Sequence, residues 1–405
     1  MNTLNPFFIL RKHANFRNFW IGQTVSLVGT WMSGMAQGWL ALGLSNNPFI
    51  VGIVAASPAI PVILLSLPAG VLVDRSDKLR LVAICQVLFL LDAALLWWLV
   101  WTSRVTVGWL IALAVVLGTI SAVEIPARQA MQVDLVGRED LRSAIALNSS
   151  GFNLARIAGP GIAALVIARL GISWCFGLNA LSFAAVLAGL ARIRLPRTAP
   201  APRIGTPLGG IREGLVYMRH HQVIGVLMAL VTVYAILGSA FIPLMPVIAR
   251  EQLGVGASRY GLLLSSVGVG GLAGALYLAG PGARLPRGRL LVWTSVAFPL
   301  TLVALSLLRS AVPAYAVLFA AGVFLILNGA GANTILQHAV EDHMRGRLMA
   351  AYSLVVVGLS NAVGAPIAGL IARYVGVNWA IGGGGVAMLA YAWWAFRRNP
   401  GLTRL

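Results

Sequence analysis

The sequence predicts an all-α membrane protein of twelve transmembrane helices in two pseudo-symmetric six-helix bundles. Three observations carry that prediction. The 405-residue chain is 59% hydrophobic and only 10% charged, whereas soluble domains carry roughly a quarter of their residues as charges. Twelve segments reach the ~20 mostly apolar residues that a spanning helix needs. Landmarks also recur at half the chain length. Ala168-Arg-Leu-Gly-Ile-Ser-Trp174 matches Ala372-Arg-Tyr-Val-Gly-Val-Asn-Trp379, with Gly171/Gly376 and Trp174/Trp379 both 205 apart. Gly159-Pro160 and Ala365-Pro366, 206 apart, strengthen the match.

The predicted spans lie near residues 17–43, 49–73, 80–101, 107–127, 143–168 and 172–192. After a gap they continue near 223–249, 258–280, 290–308, 312–337, 348–372 and 377–396. That gap is the longest polar stretch and carries Pro196, Pro200, Pro202 and Pro207. It divides the chain into an N-terminal bundle (1–192), a linker (193–222) and a C-terminal bundle (223–405). Of the 30 Lys and Arg residues, 23 fall at the N-terminus and in every second gap, and 6 in the alternate gaps. The remaining one, Arg156, lies within a span. Positive residues stay on the cytoplasmic side, so both termini and the linker face the cytoplasm, and the membrane is the cytoplasmic membrane. The first span is too long for a signal peptide and lacks a small-residue cleavage site, so it is expected to persist in the mature protein.

Span 1 is polar along one edge. Gln23, Ser26, Thr30, Ser33 and Gln37 step by three and four, which puts them on one face. Unsatisfied polar groups are costly in hydrocarbon, so the face must meet protein or water: interhelical bonding or a cavity wall. Spans 7 and 10 offer companions for a cavity in Thr232, Tyr234, Asn328 and Asn333. Such a lining, rich in neutral polar and aromatic groups, suits an amphipathic or weakly charged organic solute.

Between spans 2 and 3, Gly70–Arg80 places Asp74, Arg75, Asp77, Lys78 and Arg80 within seven positions. No bilayer core holds such a cluster, so it marks a cytoplasmic loop. Span 3 then carries Asp92 near the midplane, sharing a face with Cys85, Phe89 and Leu96. Charges at membrane depth are functional suspects by default, and Asp92 is the candidate for proton coupling. Glu124 stands near the cytoplasmic end of span 4, beside Pro126 and Arg128. Arg156 sits about 14 residues into span 5, with Asn153 and Ser149 along the same side. It either binds an anionic group of a solute or pairs with an acid on a neighbouring helix.

Small residues form stripes on three spans. Gly151, Ala155, Gly159 and Ala163, with Pro160 beside them, line one face of span 5, where another backbone can approach closely. Ser266, Gly270 and Gly274 do the same on span 8, as do Asn361, Ala365 and Gly369 on span 11. Tight packing explains these faces, and so does a seam on which two halves rock.

Other function classes find no support in the sequence. The formal charge of +19 sits in short gaps between apolar runs, not on a basic face of a soluble fold, so nucleic acid is not an expected partner. Cys85 and Cys175 lie inside apolar runs without paired spacing, which marks packing residues, not a disulfide or metal site. There is no phosphate loop, His-Glu-x-x-His or nucleophile elbow, and hence no expected enzyme activity or cofactor. A membrane sensor would need an output domain, and the longest gap is about 30 residues.

The loop Gly70-x-Leu72-x-Asp74-Arg75-x-Asp77-Lys78-x-Arg80 resembles the signature loop between helices 2 and 3 of the major facilitator superfamily. The usual pattern has Gly and then Arg where this chain has Asp77 and Lys78. The equivalent loop of the second half, Gly280–Arg289, keeps Arg284, Arg287 and Arg289 but has no acid. On span 5, Ala146, Ala155, Gly159-Pro160 and Ala163-Ala164 occupy the spacing of a motif associated with proton-coupled exporters, with only Gly-Pro kept in full. Asn15-Phe-Arg-Asn-Phe-Trp20, the segment Ser26–Trp31 and Pro126-Ala-Arg-Gln129 resemble the branch of siderophore, macrolide and drug efflux permeases. A lysophospholipid flippase is similar to that branch as well.

The resemblance implies a secondary active transporter that exports a small organic or amphipathic solute by alternating access with proton antiport. A lysophospholipid flippase or an uptake carrier of the same fold is the alternative. It implies membrane lipids and protons as partners, a single copy as the functional unit, a pore-lining span 1, a peripheral span 3, and spans 2, 5, 8 and 11 as the seam. From its own residues, Glu124 reads either as half of a structural salt bridge or as part of a gate latch, in which Glu124 and Asp74 hold Lys78, Arg75 or Arg128 while the transporter faces outward.

Overall fold

A computed structural model of the chain describes residues 8–193, 221–399 and 401, and among these it contains helices and no strand. Most of the expected linker, with its four prolines, lies outside the described residues. A short helix α1 (Phe8–Lys12) precedes α2 (Ala14–Ser45). The second predicted span is two helices, α3 (Pro48–Ala56) and α4 (Ala59–Arg75). They part at Ser57-Pro58, where proline removes a backbone donor and the Ser57 hydroxyl donates back to the Ile53 carbonyl at 2.7 Å. Asn47 caps α3 by accepting from the Phe49 amide at 3.0 Å.

Next come α5 (Lys78–Trp101), the 64-residue α6 (Val107–Leu170) and α7 (Ser173–Leu190). The helix α6 is two spans in one: Gly137 takes φ 74°, which breaks it into limbs 107–136 and 138–170. After the linker follow α8 (Gln222–Gln252), α9 (Ala257–Ala279), α10 (Arg287–Leu307), α11 (Ala311–Ala339), α12 (Met344–Val375) and α13 (Val377–Arg398).

Nine stretches among the described residues, one of them Pro48–Ser66 across the α3–α4 break, are long and apolar enough to cross a membrane. With α6 counted as two limbs, and with α2 at 32 residues and α13 at 22, all twelve predicted spans are present as helices. Trp293, Leu165 and Trp379 lie exposed on helix faces. Such side chains belong in lipid, since a water-soluble fold rarely bares contiguous apolar surface on this scale. The repeat has a backbone basis too. Gly171 and Gly376, which end the matching helices, adopt φ 91° and 94°, a region favouring glycine.

Two helices of the second half depart from α geometry. In α8, Pro243 and Pro246 follow a π-helical turn at Tyr234–Gly238 and a 3-10 turn at Ser239–Phe241, and a second π turn closes it at Ile248–Gln252. In α12 the stretch Leu354–Gly364 is π-helical. Such departures cluster at functional sites.

The chain divides into two compact units. One comprises Met1–Leu40 and Ile60–Arg203, the other Ala41–Ala59 and Ile204–Leu405. In the first, Phe16, Phe19, Val82, Met131, Leu147 and Val186 are fully or almost fully buried, so α2, α5, α6 and α7 share one core. Glycines let the helices close up: Gly22 faces the backbone of Ala185 and Val186, and Gly29 faces Asn179 and Ser182. In the second unit Gly270 and Gly274 of α9 lie against the α11 backbone at Phe319 and Val323. There α3, from the early sequence, is seated on α12: Gly52 meets the Ala365 carbonyl and Gly369 meets that of Pro48.

Candidate functional site

The charged loop after α4 is built around a helix start. Asp77, with β-region backbone, accepts from the Arg80 amide at 3.1 Å and so caps α5, satisfying one of the orphan donors there. This is a structural task for the residue that departs from the family pattern. Its ion pair with Arg80 is long at 3.8 Å and exposed, so it adds little. Gly70 has open space where a Cβ would point, and Arg75 is exposed beside the partly buried Asp74 at the end of α4.

Lys78 reaches across to Asp134 in α6, Nζ to Oδ2 at 2.8 Å. Asp134 is a partner that the expected latch, with Asp74 and Glu124 as its acids, does not include. Lys78 begins a helix while Asp134 lies 56 residues on, and no spacing rule joins them. Glu124, 5% exposed, accepts from Arg128 Nε at 2.8 Å, four residues along the same helix. Gln86 of α5 approaches the same oxygen at 3.5 Å. The expected Glu124–Arg128 pair therefore exists, but it lies within one helix, and the ties between helices are Gln86–Glu124 and Lys78–Asp134.

A second cluster went unpredicted. Asp140, in the connection just after Gly137, receives Lys12 Nζ at 2.6 Å and meets His13 Nε2 at 2.8 Å. The hydrogen bond from Lys12, then that from His13, holds its carboxyl below the usual carboxylate range. The same bond raises the Lys12 ammonium above its usual value. The run Gly137-Arg-Glu-Asp140 was visible as a charged break in the apolar pattern, without any sign of its partner.

At membrane depth, Asp92 makes no ion pair among the described residues, and its buried Oδ1 has no hydrogen-bond partner there. The next residue, Ala93, belongs to a buried cluster with Cys85, Phe89 and Phe183 between α5, α6 and α7. Arg156 donates from Nη2 to Asn153 Oδ1 at 3.1 Å, and its Nε is buried without a partner. The expected alternative of an acid on a neighbouring helix is not realised: Arg156 makes no ion pair among the described residues.

The polar edge of α2 is less uniform than its spacing suggests. Ser26 is buried, and Thr30 spends its hydroxyl on the Ser26 carbonyl at 2.9 Å while its side chain is exposed. Gln37 donates weakly to the Leu110 carbonyl at 3.4 Å, and Gln23 Oε1 is buried without a partner. Ser33 is partly buried. In the second unit, two expected cavity residues are corrected. Tyr234 and Asn328, each 6% exposed, are knitted into the bundle. The Tyr234 hydroxyl donates to the Ser295 carbonyl, and Asn328 Nδ2 donates to Thr294 Oγ1 at 3.2 Å and Ser295 Oγ at 3.0 Å. Thr232, donating to the Met228 carbonyl at 2.7 Å, and Asn333, accepting from Gln337 at 2.6 Å, keep partial exposure.

On α6, Gly151, Ala155, Gly159, Pro160 and Ala163 are all buried. Gly151 faces Trp20 and Thr24, and Gly159 faces Val28, Trp31 and Met32, all on α2 of the same unit. This end of the stripe therefore does the ordinary work of close packing. Of the three stripes, the one on α12 reaches a segment from the other half of the sequence.

Comparison with known proteins places this architecture among membrane carriers. The family described as transmembrane secretion effector matches residues 3–399. The chain is 25% identical over 265 residues to a staphyloferrin A transporter of Staphylococcus aureus, covering 64% of this chain and 66% of that protein. It thus spans just under two thirds of that relative. It is 26% identical over 364 residues to the multidrug efflux pump Tap of Mycolicibacterium fortuitum, covering 86% and 87%. With the enterobactin exporter EntS of Shigella flexneri it shares 24% over 276 residues, covering 66% and 64%. Among solved structures, an inward-facing bacterial homologue of the lysosomal transporter Spinster superposes with a TM-score of 0.72 at 14% identity, covering 96% of each chain.

Proposed function

Since the chain belongs to the transmembrane secretion effector family of major facilitator transporters, we propose that it exports a small organic or amphipathic solute across the cytoplasmic membrane. It does so by alternating access, with protons moving the opposite way. Two six-helix halves, 1–192 and 223–405, joined by the 193–222 linker, form the working unit as a single copy with both termini in the cytoplasm. The names of the multidrug and enterobactin relatives support the outward direction.

The observation that carries the reading is the distribution of charge. Ion pairs gather at the basic helix ends, at Lys78–Asp134, Arg128–Glu124 and Lys12–Asp140. The carboxyl at membrane depth, Asp92, makes no ion pair among the described residues, and its Oδ1 is buried without a hydrogen-bond partner, so it is our candidate for the coupling proton. The π-helical turns of α8 and α12 support a moving mechanism, because a helix with displaced hydrogen bonds bends at lower cost.

The test is solute counterflow in proteoliposomes, with and without an imposed pH gradient. Antiport predicts rates that rise when the gradient opposes the solute, and an Asp92→Asn variant that exchanges solute but ignores the gradient. Rates indifferent to the gradient in the wild type would remove proton coupling.

A further inference from the structure

We propose that Arg156 is an anion-binding subsite, on which a carboxylate or sulfonate group of an amphipathic organic solute docks. The proposal rests on the export reading only in taking the surrounding face as part of a solute pathway.

The first support is where the side chain stands. On the second limb of α6, Ser149, Phe152, Asn153 and Arg156 follow helical spacing along one side. Ser149 is exposed, Phe152 is 46% exposed, and Asn153 and Arg156 are partly exposed. Exposure then stops, for Pro160, Ala163 and Ala164, on the same side one and two turns further, are buried. A lipid-facing side behaves differently. Leu154 and Leu165, eleven residues apart and so nearly eclipsed, are bare at both levels, at 54% and 68%. The side of Arg156 is therefore exposed from the basic loop up to Arg156, and it closes over the next two turns at Pro160, Ala163 and Ala164.

The second support is charge. A cation at this depth is costly unless something answers it. The acids of the same unit with ion pairs are engaged elsewhere: Asp77 with Arg80, Glu124 with Arg128, Asp134 with Lys78, Asp140 with Lys12 and His13. Among the described residues Arg156 makes no ion pair and has one side-chain partner, the neutral Asn153. Asn153 is itself fixed, since its Nδ2 donates to the Ser149 carbonyl at 2.8 Å. Its Oδ1 therefore steadies one edge of the guanidinium while the buried Nε has no acceptor. A planar oxyanion completes such a fork better than water or a single acceptor does.

The third support concerns the rest of the ligand. Phe152 precedes Arg156 by one turn, and its ring meets Trp31 edge-on at 5.6 Å. A flat apolar surface next to an unanswered cation fits an organic anion with a ring or hydrocarbon body, and fits a bare inorganic ion poorly.

The experiment is equilibrium calorimetry on the purified full chain in phosphatidylcholine nanodiscs. The probes are 2-naphthoate, 2-naphthalenesulfonate and the neutral 2-naphthamide. The wild type should bind the anions at least tenfold more tightly than the amide. Arg156→Gln should erase that preference and leave amide affinity within twofold, and Arg156→Lys should keep part of it. Asn153→Ala should reduce the preference without abolishing it. Thermal melting and gel filtration establish that each variant is folded; if Arg156→Gln is not, the Lys and Asn153 variants decide. A wild type without anion preference, or a preference unchanged in the folded variants, overturns the proposal. So does displacement of naphthoate by lysophosphatidylglycerol but not by naphthalenesulfonate, which would assign the subsite to a lipid. Equilibrium binding is blind to transport direction, so failure of export in counterflow and failure of this subsite are read separately.

Discussion

Replacing Gly159 by alanine should loosen the first unit, and the structure sets the scale. An added Cβ would stand 2.5 Å from Trp31 Cβ, 3.0 Å from the Val28 carbonyl oxygen and 3.1 Å from the Met32 nitrogen. Carbon atoms rest at about 3.5–4.0 Å, so α2 must retreat by roughly 1 Å or more at this level. Two of the three atoms are backbone, so no rotamer change relieves the clash. Overpacking of this kind costs about 1–3 kcal/mol. Alanine's better helix propensity returns about 1 kcal/mol, which any glycine-to-alanine change in a helix shares. The control is Gly34→Ala on α2, where nothing lies within 4 Å of the new atom. The difference between the two variants then isolates the packing term, at about 1–3 kcal/mol. Reversible unfolding in mixed detergent micelles measures it. Equal stability of the two variants would refute the packing account of the α6 stripe. A destabilised Gly159→Ala that still transports at the wild-type rate would separate packing from movement.

Four further predictions concern the charged ends. In a double-mutant cycle with Glu124→Gln and Arg128→Gln, the coupling energy should be about 1.5–3 kcal/mol, as for a charge-assisted bond in a buried place; additive losses would mean the pair contributes nothing. Asp134→Asn should release Lys78 and slow transport at normal abundance. Asp74→Ala is the companion measurement for the latch: normal abundance with unchanged transport would remove Asp74 from the gate. The Lys12–Asp140 tie should hold across ordinary pH. A lowered carboxyl stabilises above its unfolded value of 3.8 and fails only as pH falls through the lower folded value. The raised Lys12 stabilises below 10.5 and fails only above it. Hydrogen exchange over residues 8–17 should therefore be slow at neutral and mildly acidic pH, and fast at both in Asp140→Asn; equal protection in the two proteins would contradict the tie.

The helices were legible because a bilayer imposes one strong rule on the sequence, some twenty apolar residues per crossing. The Asp77 cap and the helix-ending glycines at 171 and 376 rest on local chemistry that the structure supplied, although the sequence had marked all three positions. What stayed hidden has a common cause: it depends on partners far away in sequence. The period of the α2 stripe is real, yet Ser26 turned inward and Thr30 bonded its own helix, because hydroxyls satisfy themselves on a carbonyl one turn back. Tyr234 and Asn328 looked like cavity residues until Thr294 and Ser295 of α10 claimed them; two adjacent hydroxyls inside an apolar span were the available hint. Asp134 and Asp140 were invisible as partners, since ion pairs across a fold leave no spacing. The π turns of α8 and α12 also went unread, although Pro243 and Pro246 announced a disturbance in α8.

The seating of α3 on α12 means that the polypeptide need not be continuous to be whole. A cut anywhere in residues 194–220 leaves the first fragment still carrying Pro48–Ala56. Its counterpart retains the small-residue track of Ala365 and Gly369, on which that segment rests. Two fragments made separately thus possess a means of finding each other that is remote from the cut. Co-expressed in one membrane, they should be recovered together, and a bulky residue at Gly52 or Gly369 should part them. The early sequence serves here as a clasp as well as a barrier.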